Sequence, residues 1–176
     1  KWFATVTSVS EALMTEQAGV DSLVVQGAEA GGHRGNFFSG YDQSAGLVAL
    51  LPAVCDAVTI LVIATGGIAD SRRISAALML GASAAQIGTG FLRTPEASIA
   101  LAWADAIQKT RPEDTIITSS FSGKPGRAIE NQYTKAAHDD SNPMPAPYPI
   151  QRSLTKEMRE QATKSNDIDC MQAWAG

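Results

Sequence analysis

Glycine-rich segments carry the residues of this chain that are best suited to chemistry. The segment QGAEAGGHRG places His33 among four glycines. Imidazole titrates near pH ~6.5, so a histidine can accept a proton or hydrogen-bond an oxyanion. Glycine has no Cβ, so a glycine loop lets the backbone and the imidazole approach a small ligand. The pattern predicts a general base at His33 in a loop without local packing; a solvated loop histidine is the alternative.

Two further segments, TGGIAD and QIGTG, have the pattern of phosphate-binding turns. Gly66 and Gly67 lie just before a predicted helix, where N–H groups and the helix dipole favour an anion. Gly88 and Thr89 add further N–H groups and a hydroxyl. Each segment taken alone is better explained as a tight βα turn. Because many barrel enzymes hold a phosphate on two such consecutive turns, the pair predicts phosphate binding.

The other polar candidates are weaker. Glu29 either orients the glycine loop by accepting backbone N–H groups or is solvated. His138 lies in an irregular, polar stretch and is expected to be an exposed loop residue. The segment GRAIEN (126–131) is expected to be an exposed helix or turn rather than a site. Cys55 and Cys170 are far apart and match no metal or redox spacing, so no metal site is expected.

The elements that must position these residues alternate between strand and helix. Short apolar runs predict strands buried on both faces, as in a parallel sheet: WFATV (2–6), SLVVQ (22–26), TILVIA (59–64) and SAAQIG (83–88). A strand–helix order repeated along the chain predicts an α/β fold of parallel βα units with right-handed crossovers. Ligands of such folds bind at the carboxyl ends of the strands, where the glycine segments fall.

Helix signals follow each predicted strand. A capping box of Ser8 and Glu11 starts the first helix, and Asp70 caps the third. In the second helix, the spacing of leucines over 47–54 gives one apolar face, which Pro52 is expected to kink or end. Other expected starts are Thr94–Pro95–Glu96 for a fourth helix and Ser153 for an exposed helix over SLTKEMREQATK.

The composition is typical of a soluble globular protein and argues against nucleic-acid-binding and membrane-spanning classes. The chain has 176 residues, of which 44% are hydrophobic and 18% charged, with a net charge of −4. This is a soluble globular composition without the basic face that nucleic-acid binding needs. No apolar run approaches the roughly 20 residues that span a bilayer. Two cysteines favour a reducing compartment, and we expect a cytoplasmic protein.

Together these motifs resemble a known family. The segments QGAEAGGHRG, LVALLPAV, VIATGGIAD, GASAAQIGTGFLRTPEA and the tail PYPIQRSLTKEMREQA, ending in WAG, closely resemble the nitronate monooxygenases, formerly called 2-nitropropane dioxygenases. The resemblance implies an FMN-dependent TIM barrel, (β/α)₈. It also implies oxidation of an alkyl nitronate or nitroalkane with O₂ to a carbonyl compound and nitrite.

The resemblance also assigns roles to residues. It implies that His33 takes the α-proton of a neutral nitroalkane, or hydrogen-bonds a substrate that is already an anionic nitronate. The implied flavin contacts are Gln26, Gly31 and Gly32 near the ring, Gly66 and Gly67 in one phosphate loop, and Gln86, Gly88 and Thr89 in the other.

Only part of a barrel is expected, because four βα units cannot close one. We expect residues 1–97 to form the second half of a flavin-binding barrel. Residues 98–176 are expected to form a helical and irregular segment that contributes to the substrate side. The chain is then a C-terminal part of a longer protein. The alternative is a natural half-barrel whose open sheet edges favour homo-oligomers.

Two other functions fit the same motifs. The flavin-type enoyl-acyl-carrier-protein reductases resemble this chain in the EAGGH loop and both phosphate loops, and they use NAD(P)H. A half-barrel that binds a phosphate-bearing ligand without turnover is the non-catalytic alternative.

Overall fold

The computed structural model describes residues 1–37 and 44–176. The strands of the described residues are β1 (Phe3–Val6), β2 (Ser22–Gln26), β3 (Gly32–His33), β4 (Leu61–Thr65), β5 (Ala84–Gln86), β6 (Thr115–Thr118) and β7 (Gly126–Ile129). The α-helices are α1 (Val9–Gln17), α2 (Leu47–Ala57), α3 (Ser71–Met79), α4 (Leu101–Lys109), α5 (Gln132–Ala137), α6 (Ile150–Leu154) and α7 (Lys156–Ser165).

The chain divides into two compact units. The first consists of Lys1–Ala30 and Arg34–Gly90, and the second of Gly31–His33 and Phe91–Gly176. The three residues of Gly31–His33 are therefore part of a unit that is otherwise built from the C-terminal half of the chain.

The first unit contains a parallel sheet with the strand order β1-β2-β4-β5. Gln26 of β2 lies beside Thr65 of β4, which lies beside Gln86 of β5, so these strands end at the same level. The sequence prediction of parallel βα units is confirmed. Each strand begins within two residues of its predicted start, and the weakest strand former, SAAQIG, keeps three paired residues at Ala84–Gln86.

The core of the first unit lies between β2, β4 and the helices α1 and α2. Leu23 and Val25 of β2 are fully buried, as are Leu51 and Val54 of α2. The leucine spacing in α2 thus faces the core, as predicted. Pro52 does not end the helix, which continues to Ala57.

In the first unit the Ser8 and Asp70 caps form, but the Glu11 half of the predicted capping box does not, because the Glu11 carboxylate accepts the N–H of Thr7 instead of that of Ser8. The Ser8 hydroxyl accepts the Glu11 N–H at 3.1 Å and caps α1. The buried Glu11 carboxylate accepts the N–H of Thr7 (2.6 Å) and that of Phe37 (2.7 Å), so it joins α1 to the segment after the glycine loop. Asp70 caps α3 through the Arg73 N–H.

The second unit contains an antiparallel sheet with the strand order β3-β7-β6. The prediction for GRAIEN was wrong: Gly126–Ile129 form the central strand β7, with Ala128 and Ile129 buried. Strand pairing on both sides satisfies the backbone groups of this segment, which local sequence cannot reveal. Ile129, Ala173 and Ala175 form a small core against Trp103 of α4.

Two predicted helix starts in the second unit were also wrong. Thr94 precedes only a short 3₁₀ turn, and Ser98 in the left-handed conformation (φ 51°) separates that turn from α4. Ser153 lies inside α6 rather than at a helix cap, and a second helix, α7, follows from Lys156. α7 ends at Ser165, and the following Asn166 is left-handed (φ 54°). None of the helices in the described residues is long and apolar enough to cross a membrane.

Candidate functional site

In the first unit, the turn after β2 is fixed by two ionisable side chains. The buried Arg34 guanidinium donates to the carbonyl oxygens of Gly27 (2.9 Å) and Ala30 (3.1 Å). The two Glu29 carboxylate oxygens accept the N–H of Leu47, the first residue of α2, at 2.9 and 3.0 Å. Gly46, the N-cap of α2, has no side chain, so Glu29 caps this helix from the turn. The open question about Glu29 is thereby answered: it orients the loop.

Gln26 closes the same turn from the other side. Its side-chain oxygen accepts the Gly35 N–H at 2.8 Å, which joins the end of β2 to the residue after the glycine-rich loop. Gly35 itself is in close contact with β1, because a Cβ there would lie 2.7 Å from the Thr5 methyl group. A flavin contact for Gln26 stays a prediction.

The two predicted phosphate turns lie at the ends of neighbouring strands. Gly66 and Gly67 have φ angles of 122° and 64°, which residues with a side chain rarely adopt. The hydroxyl of Thr65 donates to the Gln86 carbonyl oxygen at 3.0 Å, so the two turns leave the sheet side by side. A Cβ at Gly88 would meet no atom of the described residues within 4 Å. Thr89 begins a 3₁₀ turn.

The backbone of these turns fits an anionic group. Among the described residues, the N–H groups of Gly66, Gly67 and Gly88 donate to no other residue. The N-terminus of α3 is a poorer candidate, because Asp70 already caps it. The hydrogen bond from Arg72, together with the Arg73 N–H, lowers the pKa of Asp70 to about 2, so this carboxylate is charged at neutral pH. An anion would therefore bind the turn N–H groups and not the helix terminus.

His33 lies in the second unit, and the structure corrects the expectation of a loop without packing. β3 pairs antiparallel with β7, with Gly32 opposite Arg127 and His33 opposite Gly126. The imidazole is half-buried, and its ring centroid lies 5.2 Å from that of Trp174 and 6.2 Å from that of Tyr148.

A hydrogen bond joins the imidazole to a distant serine. His33 Nε2 lies 2.7 Å from the Ser122 hydroxyl oxygen, across 89 residues of sequence. Ser122 is fully buried in the loop after β6. The imidazole is therefore held by side chains from three separate stretches of the C-terminal half.

The glycines around His33 are required largely by chain packing. A Cβ at Gly31 would lie 2.7 Å from the Ala175 carbonyl carbon, and a Cβ at Gly126 would lie 2.9 Å from Gly32 and from the Trp174 ring. Real Cβ atoms do not approach other atoms so closely. Gly32, with φ 79°, has open space where its Cβ would be. Of the predicted flavin-contact glycines in this loop, only Gly32 leaves room beside its backbone, and Gly31 does not.

The surroundings of His33 favour its neutral form. Burial, followed by the positive charges of Lys124 and Arg152, lowers the pKa of His33 below its ordinary value of 6.5. A lowered pKa means that the imidazole keeps a lone pair at and above pH ~6.5. Neutral imidazole is the form that a general base requires.

No local sequence signal pointed to Ser122, Tyr148 or Trp174. They become neighbours of His33 only because β7 pairs with β3 and the C-terminal segment packs against both. Tyr148 and Trp174 do lie in tail motifs that carry the family resemblance, and this was the one usable hint.

The second histidine has a structural role. His138 ends α5, and its Nδ1 lies 2.7 Å from the Thr134 carbonyl oxygen. In residues 1–37 and 44–176, no group of three or more His, Cys, Asp or Glu residues is arranged to hold a metal ion.

Comparison with known proteins places the chain in a family. The sequence model for nitronate monooxygenase matches residues 2–176. The chain belongs to the nitronate monooxygenase family. A probable nitronate monooxygenase of Staphylococcus aureus strain Newman is 40% identical over 178 aligned positions, which cover 100% of this chain and 50% of the relative.

Two solved structures are similar to nearly the whole chain. A nitroalkane oxidase from Streptomyces ansochromogenes has a TM-score of 0.89 and 38% identity over 99% of this chain and 50% of its own. FabK from Thermotoga maritima has a TM-score of 0.81 and 30% identity over 99% of this chain and 52% of its own. The chain thus spans about half the length of the relatives it matches. Its parallel βα sheet is the partial TIM barrel that the sequence predicted.

The positive charge beside His33 generates a testable prediction. Replacing Lys124 with Met removes one of the two cations, so the pKa of His33 should rise. The rise is measured by NMR titration of the imidazole, with His33→Asn to assign its signal. Lys135→Met, whose ammonium pairs with Glu130 at 3.5 Å, is the control and should leave the pKa of His33 unchanged. An unchanged or lower pKa in the Lys124 variant would contradict the electrostatic argument.

Proposed function

We propose that this chain is the part of an FMN-dependent enzyme that carries the general base and the phosphate turns. The enzyme oxidises alkyl nitronates or nitroalkanes with O₂ to a carbonyl compound and nitrite. Family membership supports an oxidoreductase of this kind. The observation that carries the proposal is the half-buried, oriented and neutral His33 imidazole.

We propose that His33 takes the α-proton from a neutral nitroalkane. The carbon–hydrogen electron pair then moves onto the nitro group and forms the nitronate, while the imidazole becomes imidazolium. Lys124 and Arg152 place positive charge near this step. Because the nitronate is an anion, these charges favour the product of proton removal and attract a substrate that is already ionised. With an ionised substrate, His33 only donates a hydrogen bond and orients the anion.

FMN would be held by the first unit through its phosphate. The N–H groups of Gly66, Gly67 and Gly88 are available to an anion, and the space beside Gly88 is open. When bound, the flavin supplies the two-electron chemistry with O₂. Gln86 and Thr89 are proposed to complete the phosphate site, while Gln26, Gly31 and Gly32 are proposed to lie near the ring. Of these, Gly31 is supported by the resemblance and not by open space.

The remaining assignments rest on the same family. We propose that residues 1–97 act as the flavin-binding part and that residues 98–176 contribute to the substrate side, since Ser122, Tyr148 and Trp174 surround the candidate base. Small nitro compounds and O₂ are the proposed partners. Cys55 and Cys170 are both free thiols, which supports the proposed cytoplasmic location.

Replacing His33 with Asn tests the base. In the flavin-loaded, full-length protein, we expect activity on neutral nitroalkanes to fall by about 10²- to 10⁴-fold, the usual contribution of general-base catalysis. Activity on preformed nitronates should fall much less, because that reaction needs no proton removal. Nitrite release measures both. Flavin content is the control, and an equal loss on both substrates would argue against the base role.

Replacing Gly88 with Ala tests the phosphate turns. The added Cβ meets no atom in the part of the chain that the structure describes, so the apoprotein should unfold at the same temperature. If a phosphate binds there, the Cβ occupies its space, and FMN should bind at least about tenfold more weakly, a cost of about 1.4 kcal/mol. Titration of the apoprotein with FMN measures this, and Ser83→Ala, an exposed change just before β5, is the control. Unchanged FMN affinity would remove Gly88 from the site.

The choice of electron donor distinguishes the proposed O₂-dependent enzyme from the reductase alternative. A flavin-type enoyl-acyl-carrier-protein reductase requires NADH or NADPH, which bleach its flavin absorbance. We expect no rapid bleaching when the flavin-loaded protein is mixed anaerobically with either nucleotide. Rapid bleaching would favour the reductase. The non-catalytic alternative predicts flavin binding without nitrite release from any nitronate.

A further inference from the structure

The loop between β6 and β7, residues 119–125, carries the serine that lies beside the candidate base. The Ser122 hydroxyl oxygen is 2.7 Å from His33 Nε2. The strands fix only the ends of this loop, since Thr118 pairs with Gly126 and Gly126 pairs with His33. Ser122 lies midway between those ends, so contacts outside the sheet are needed to set its distance from the imidazole.

Two side chains hold the loop at Ser120. Its carbonyl oxygen accepts the Tyr133 hydroxyl at 3.0 Å and the Gln151 side-chain N–H at 2.7 Å. The ring of Tyr133 also packs on that of Phe121, with 5.0 Å between centroids. Because two donors share one acceptor, loss of either side chain would leave the Ser120 carbonyl bonded.

The next carbonyl group, that of Phe121, depends on a single donor. Among the described residues only the Thr155 hydroxyl donates to it, at 2.5 Å. This buried hydroxyl lies farther, at 3.1 Å, from the Gln151 carbonyl oxygen one helical turn earlier, so the shorter contact takes most of its proton. Arg159 Nε donates to the same hydroxyl oxygen at 3.1 Å. A charged donor polarises the hydroxyl and strengthens its bond to Phe121.

We propose that Thr155 is a positioning residue, whose hydrogen bond to the Phe121 carbonyl sets the place of Ser122 beside His33. The peptide group that joins Phe121 to Ser122 is planar, so fixing its oxygen also orients the Ser122 nitrogen and Cα. All four residues belong to the second unit. The inference rests on the proposed function for its catalytic meaning, because the place of Ser122 affects the reaction only if His33 is the base.

Ser122 also links the loop to a nearby charge. Its hydroxyl oxygen lies 3.0 Å from the Lys124 carbonyl oxygen and 3.3 Å from the Lys124 backbone nitrogen. Burial, followed by the positive charges of Lys124 and Arg152, lowers the pKa of His33. If the loop moves away, both burial and Lys124 have less effect, so this pKa should rise toward its ordinary value of 6.5. The titration of His33 therefore reports the place of the loop without any reaction.

The test compares Thr155→Val with two matched variants in the full-length protein. Thr155→Val deletes the hydroxyl and keeps the branched shape of the side chain, whereas Thr155→Ser keeps the hydroxyl. Thr163→Val is the control, because the exposed Thr163 hydroxyl donates only to the Arg159 carbonyl oxygen of its own helix. NMR titration, assigned with His33→Asn, should give a higher pKa of His33 in Thr155→Val and the wild-type value in the other two variants.

A further substitution covers the case in which Thr155→Val does not fold, as judged by the loss of a cooperative melting transition. Thr155→Cys has a similar volume, but its thiol is only a weak donor. The Phe121 carbonyl is then held less firmly, and the pKa of His33 should again rise. A wild-type pKa of His33 in whichever of these two variants folds would overturn the proposal.

Kinetics of nitrite release give a second readout. With a neutral nitroalkane, Thr155→Val should lower kcat roughly 10- to 100-fold, because a displacement of about 1 Å at a catalytic group has effects of this size. The KM should change little, since substrate binding does not need the proton transfer. Preformed nitronates should lose less activity, Thr155→Ser should recover most of the loss, and Thr163→Val should retain wild-type activity. Equal losses on both substrates would assign Thr155 a merely structural role.

The two readouts separate this inference from the proposed function. If the wild type oxidises no nitroalkane or nitronate, the proposed function fails, while the titration of His33 still tests Thr155. If the wild type is active and Thr155→Val leaves the pKa of His33 unchanged, only the positioning role fails.

Discussion

The pairing of β3 with β7 is the constraint on which the candidate chemistry depends. β3 is two residues long, and alone it would be an unpaired piece of loop. Its partner β7 is held on the other side by β6, so β3 is added to a sheet that already exists. Once Gly32 and His33 are fixed in this register, the imidazole must face the serine and the aromatic rings of the second unit. A general base needs this restriction, because its lone pair must be held in one direction.

Glycine is required in this chain for two different physical reasons: a positive φ angle, or a close approach of two chain segments. Gly66 and Gly67 adopt positive φ angles, and their N–H groups have no partner within residues 1–37 and 44–176, which suits a turn that receives an anion. Gly31 and Gly126 instead allow chain segments to come closer than a Cβ permits. A glycine-rich sequence therefore does not by itself indicate a ligand. The neighbour that would meet the missing Cβ distinguishes the two cases.

Two charged side chains hydrogen-bond to backbone groups and order the turn after β2, a role that composition does not reveal. Glu29 replaces the absent cap of α2, and the buried Arg34 binds carbonyl oxygens of the same turn. Both act within the first unit, on the loop that leads to His33 in sequence. The loop is thus ordered by hydrogen bonds to its own backbone, and its glycines do not make it loose.

The sequence by itself determined the parallel βα order, the strand positions, the caps of α1 and α3, and the family. These follow from local signals: apolar runs, periodic spacing, capping residues and motifs, each read within about ten residues. It also singled out His33 and the turns at Gly66 and Gly88 from residue type and place. The tertiary structure decided what surrounds His33. The serine hydroxyl within hydrogen-bond distance of its imidazole lies 89 residues away, and β7 is a strand only because it has partners on both sides. Contacts between distant segments depend on how the whole chain packs, so no local pattern could have revealed them.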